Sequence, residues 1–208
     1  MVASSEELRT VQFKYQPKLF DAMGPALEMG RSWIRSEHQK SFTGLMLLWK
    51  GIGEFDGRHP RYATLFGPVS ISADYRSASQ RMIVAFLERN RKMSEWSDWV
   101  APTTPLRAPR WPGARRGPSH LNDLEDVSTF ISEIESDQKG VPILLKQYLR
   151  LDGRLLSYNV DPDFANVLDV LIVVDLRRTS QKALQRYMGR DNLERFRAFH
   201  APAKSHAV

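Results

Sequence analysis

Residues 26–76 read ALEMGRSWIRSEHQKSFTGLMLLWKGIGEFDGRHPRYATLFGPVSISADYR, a strand, a turn, a helix and a second strand. Residues 27–34 alternate apolar and polar side chains, so Glu28 and Arg31 share a face only if the strand is irregular. Gly30 is the candidate irregularity, because a lone glycine in a strand marks a bulge or a close backbone approach. After a turn at 35–41, Phe42, Leu45, Met46, Leu48, Trp49, Ile52 and Phe55 recur at helical spacing. Gly57 and Pro60 end that helix. Residues 62–71 are β-branched and aromatic, with Gly67-Pro68 disturbing the ladder. Such a unit sets a helix N-terminus beside a sheet, where free N–H groups and the helix dipole favour an anion.

Upstream, residues 10–15 alternate as a strand that Pro17 ends, and 18–23 form a helix or loop. Downstream, Ser77 with Gln80 reads as a capping box opening a helix to about residue 92, striped by Met82, Ile83, Phe86 and Leu87. Residues 96–119 carry five prolines and are read as a long basic loop. It is either a solvated insertion or a docking surface for an acidic carrier or phosphate headgroups, with Arg107, Arg110, Arg115 and Arg116 as its charges and Trp96, Trp99 and Trp111 as anchors. Asn122 with Glu125 reads as a second capping box, before a stripe of Leu121, Leu124, Val127, Ile131 and Ile134. Pro142 opens a short helix that Gly153 closes. Residues 154–160 and 167–176 are strands, and Leu171-Ile172-Val173-Val174, apolar on both faces, implies a doubly covered central strand. Helices at 181–188 and 192–199 follow, and 200–208 is expected to be a disordered tail.

The chain has 208 residues, 42% of them hydrophobic, which suits one α+β domain over 1–208 with a substantial core. No apolar run approaches the roughly 20 residues that span a bilayer, and the opening residues MVASSEELRT lack the apolar region of a secretory signal. The expectation is a cytoplasmic protein, with peripheral contact to an anionic inner membrane as its further possibility. Zero cysteines exclude disulfides, thiolate metal sites and a cysteine nucleophile. A net charge of +6 favours acidic partners, whether nucleic acid, anionic lipid or an acidic carrier protein; no RNA-recognition or zinc-finger pattern supports nucleic acid.

Glu28-Met29-Gly30-Arg31, Trp49-Lys50-Gly51-Ile52 and the run from Leu65 to Ser72, continued by residues 140–149 and 159–164, resemble the haemolysin-like acyltransferases of the GNAT superfamily. That group includes ornithine-lipid synthases and long-chain N-acyl amino acid synthases. The resemblance implies a GNAT-like fold, a mixed central sheet flanked by helices. It also implies elements ahead of residue 10, so the fold is expected to be N-terminally incomplete. The implied activity moves a fatty acyl group from an acyl carrier protein (or CoA) thioester to an amine such as an amino acid. No permanently bound cofactor and no metal are expected. The alternative is a non-catalytic lipid- or carrier-binding module derived from such an enzyme.

By the same resemblance, the pantetheine slot lies between the strands at 27–34 and 62–71, with N–H groups near Trp33 facing the thioester oxygen and Ser70 lining the slot. The phosphate turn falls on Gln39-Lys40-Ser41-Phe42-Thr43-Gly44, where Phe42 stands in place of a glycine. That substitution favours a carrier protein, with its single phosphate, over CoA. Glu28 is the candidate base, with Arg31 keeping it ionised, or else the two form a structural ion pair. His38 is a second base or a surface histidine. Asp74 and Tyr75 stand where they could meet the amine or protonate the departing thiolate, unless Asp74 caps the next helix. Asp161, Asp163 and Asp169 form an acidic spot that fits a strand turn better than a metal site.

Overall fold

Strand β3, Thr64–Ile71, is the element on which the rest is assembled. In the computed structural model, which describes residues 12–30, 35–38, 42–106 and 123–201, it pairs on one side with β2 (Ala26–Glu28) and on the other with β6 (Val167–Asp175). The β2 pairing is parallel and the β6 pairing antiparallel. Strand β5 (Arg154–Asp161) completes a four-stranded mixed sheet in the order β2-β3-β6-β5. The crossover from β2 to β3 contains α2, Phe42–Arg58.

Side-chain alternation assigns each face of this sheet its own cover. Leu65, Val69 and Ile71 of β3 point with Leu168, Val170, Ile172 and Val174 of β6 into the larger apolar core. That core is roofed by α2, α3 (Ser77–Asn90), α5 (Leu124–Ile134), α6 (Ile143–Arg150), α7 (Gln181–Met188) and α8 (Arg190–His200). Phe66, Leu171 and Val173 point the other way and meet Phe13, Leu19, Met23 and Val100. These belong to α1 (Pro17–Met23) and to an antiparallel ribbon of β1 (Phe13–Tyr15) with β4 (Val100–Pro102). The fold is thus α+β with a mixed sheet, and β6 is buried along eight of its nine residues, the doubly covered strand its composition requires.

Three expectations need correction. The stretch 96–119 is not without regular structure at its start: α4 (Ser94–Ser97) and β4 occupy it, and Pro102 is tolerated because it ends a strand paired on one side only. Trp96 and Trp99 pack on the smaller core, Trp99 beneath the Lys18 ammonium at 4.7 Å, so they are not free docking anchors. Arg107, Arg110, Arg115, Arg116 and Trp111 lie outside the described residues, as does the tail from 202. Both capping boxes also differ. Gln80 donates to the Ser72 carbonyl while a distant carboxylate, Glu135, accepts the Arg76 N–H at 2.9 Å. At α5 the cap is Asp123, which accepts the Glu125 N–H at 2.7 Å.

Candidate functional site

The described pairs of β2 with β3 end at Glu28↔Phe66, beside a residue that cannot extend the ladder. The register runs Ala26↔Thr64, Leu27↔Leu65, Glu28↔Phe66, and the Met29 N–H donates to the Phe66 carbonyl at 2.7 Å. The next bond of a parallel ladder needs an N–H from residue 68, and proline has none. Just before it, a Cβ added to Gly67 would lie 2.8 Å from the Met29 carbonyl oxygen. The end of β2 therefore leans directly over Gly67, an approach no other residue allows without a shift. β3 itself continues to Ile71 against β6. The Pro68 carbonyl and Ser70 N–H point to the β2 side, beyond the last described β2 pair.

Along the face turned toward the ribbon, Glu28 stands level with Phe66, and four residues further Ser70 stands level with Asp169, which is level with Asn159. Asp169 is 1% exposed. Its Oδ1 accepts the Ser70 hydroxyl at 2.5 Å, while Oδ2 is buried with no partner among the described residues. Burial raises the Asp169 carboxyl above its ordinary range; the Ser70 bond works against that and the Asp161 charge adds to it. Asn159 is buried and satisfied, taking the Thr104 N–H at 2.7 Å. The other two acids of the expected spot are indeed a strand turn: Asp161 Oδ1 accepts the N–H groups of Asp163 and Phe164.

The remaining nominated residues divide. Glu28 is exposed at the end of β2, its Oε1 3.5 Å from where a Gly30 Cβ would lie. Thr43 and Gly44 begin α2, and His38 is exposed in a 3-10 turn, Ser36–His38. Arg31, Trp33, Gln39, Lys40 and Ser41 fall outside the described residues. Asp74 is not beside Glu28. It lies beyond the far end of β3, and Phe66 to Ile71 alone spans about 16 Å at 3.3 Å per residue. Nor does it cap α3: its Oδ2 accepts the Ser72 hydroxyl at 2.8 Å in the turn. Tyr75 is tied down as well, donating to the Gly140 carbonyl at 2.7 Å. Its phenol is pushed up to about 12 by burial first, then by Asp137 and Glu135.

A second buried acid escaped the sequence reading. Asp56 of α2 is 1% exposed, with Oδ1 unpartnered among the described residues, and burial pushes its carboxyl up to about 7. It borders a cavity of about 10 Å³, room for about one water, lined by Trp49, Leu65, Leu176, Leu184 and Tyr187. The Trp49 Nε1–H is likewise buried and unpartnered. The available signal was periodic: Trp49, Ile52 and Asp56 follow the i, i+3, i+7 stripe that turns inward.

No helix among the described residues is long and apolar enough to cross a membrane, and no group of three or more His, Asp or Glu is gathered there to hold a metal. No family model, curated protein or solved structure matches the chain.

Proposed function

We propose that this chain is an acyltransferase domain of the GNAT-like, haemolysin-like kind, moving a fatty acyl group from a carrier-protein or CoA thioester to an amine. The observation that carries this reading is the parallel pair β2–β3 around α2, whose described pairs run to Glu28↔Phe66, just ahead of Pro68, which has no N–H to give. An extended pantetheine arm beside β3 would find the Pro68 carbonyl and Ser70 N–H as amide partners. The exposed Glu28 carboxylate, in the last described β2–β3 pair, is the base for the attacking amine. The amine nitrogen forms its bond to the thioester carbon, the carbon–sulfur bond breaks with its electron pair leaving on sulfur, the amine's proton passes to Glu28 and on to solvent, and the departing thiolate takes up a proton from water.

The test is mass-spectrometric detection of amide product from acyl-carrier and acyl-CoA donors across a panel of amino acids. Glu28→Gln is expected to lower turnover by about 10²- to 10⁴-fold, as removal of a positioned base does, with donor binding retained. The separation of Asp74 from Glu28 favours a second reading, a binding module without chemistry. Wild-type protein that binds the carrier yet acylates no amine would establish the module and end the enzyme reading.

A further inference from the structure

Residues 177–200 hold seven Arg and Lys against two Asp and Glu, a net +5 where the whole chain carries +6. This segment is a helical hairpin, α7 and α8 joined at Gly189, whose φ of 77° reverses the chain. Leu184, Tyr187, Met188, Leu193 and Phe196 turn inward and are buried. The exposed side is left to Arg178, Lys182, Arg186, Arg190, Arg195 and Arg197.

Two features make this face a platform. The hairpin is seated on α2 at glycines: a Gly53 Cβ would fall 2.6 Å from the Tyr187 carbonyl carbon, and one on Gly57 would collide with Asn192. Asn192 also donates to Glu54 at 2.5 Å. Its two helices are cross-tied too, since the Arg197 guanidinium donates to Gln181 Oε1 at 2.8 Å, bringing an α8 cation to the start of α7. The charge is largely uncompensated. The ion pairs described for these cations are Arg177 with Asp175, two residues ahead of it and outside the counted segment, and, at a long 3.9 Å, Arg190 with Glu194.

We propose that the exposed face of the α7–α8 hairpin docks an acid-bearing helix of a partner protein; taking the acyl-transfer reading above, that partner is the acidic carrier that delivers the acyl group. Lys182 and Arg186 stand one turn apart on α7, about 6 Å along its axis. Carboxylates on a facing helix repeat at the same step. A lipid surface is the poorer fit: both helices spend their apolar faces on the core, and Phe199, 59% exposed, is the one large apolar side chain the hairpin offers outward. Charges of this kind steer encounter and make it salt-dependent.

The experiment titrates the full chain and its Lys182→Glu/Arg186→Glu variant with apo acyl carrier protein, without acyl group or acceptor, at 50 mM and 500 mM salt. Parallel arms use phosphatidylglycerol vesicles and single-stranded RNA, and thermal melting establishes that the variant is folded. The expected result is a loss of carrier affinity of about tenfold or more for the double reversal, with wild-type affinity falling similarly at high salt. Single reversals Lys182→Glu and Arg186→Glu, each losing part of that affinity, cover the case of a misfolded double variant. Equal carrier affinity for wild type and variant, or no carrier binding by either, overturns the proposal. Vesicle or RNA binding that exceeds carrier binding and vanishes with the same reversals overturns it in favour of that ligand. Because the carrier here bears no acyl group, none of these outcomes depends on whether amide is made.

Discussion

Asp56 and Asp169 are buried aspartates on opposite sides of the sheet, and the two sides treat them differently. Asp56, under the helices, has a wall of apolar groups and an oxygen with no partner, so burial alone governs it and its carboxyl rises to about 7. Asp169, under the ribbon, is as deeply buried but receives the hydroxyl of Ser70, which itself is exposed on β3. Burial is common to both; a polar route to the surface belongs to Asp169 alone. That difference leaves Asp56 enclosed in the helix-side core and ties Asp169 through Ser70 to an exposed position on β3.

The sharpest test of the contrast is Asp56→Asn. A carboxyl raised from 3.8 to about 7 on folding binds its proton more tightly in the native state. Its contribution to stability is therefore complete below about pH 4 and is lost as pH climbs through about 7, a swing of about 4 kcal/mol. Urea unfolding should find Asp56→Asn several kcal/mol more stable than wild type at pH 8 and near parity at pH 4. A difference that stays constant with pH would show that Asp56 is not titrating in the core.

Next in size is Ser70→Ala, which removes the group that favours ionised Asp169. A hydrogen bond to a charged group contributes about 1.5–3 kcal/mol, so the cost should approach that range where Asp169 is ionised and shrink on acidification as its carboxyl takes up a proton. Adding Asp169→Asn should abolish the pH dependence of the Ser70→Ala cost, and a double-mutant cycle without coupling would dissolve the pair. The smallest effect belongs to Asp169→Asn by itself. Relief of desolvation and loss of the charge-assisted bond oppose each other, leaving a change below about 1 kcal/mol at pH 8, with the sign of its pH trend matching that of Asp56.

Much of this architecture could be read from the residues. The spans of β5, β6 and α7 emerge from apolar runs and periodicity bounded by Gly153, the Asp161-Pro162-Asp163 turn and Gly189, all local signals. What could not be read was set across the chain. The described β2 ladder is only three residues because of a proline on its neighbour, Pro68, and β4 forms in proline-rich sequence because β1 pairs with it. The cap on α3 comes from Glu135, some 59 residues away. The site was half legible: Glu28 and Ser70 fall on one face as alternation requires. Asp169 was grouped with Asp161 and Asp163, although an acid inside a strand apolar on both faces is bound to be buried. Asp74, just past β3 in sequence, is carried away from Glu28 by the length of the strand.

The position of β6 carries a consequence for the making of this protein. β3 and β5 do not touch; each is paired to β6, which is the last strand of the sheet to appear in the chain. Until residues 167–175 have been synthesised, β3 offers a bare edge on the side that β6 will take, for roughly a hundred residues of translation. Pairings of such long sequence separation form slowly and leave sticky intermediates. A nascent chain stalled before β6 should therefore be a strong client for chaperones that hold exposed strands, and release should coincide with the emergence of Val167–Asp175 from the ribosome.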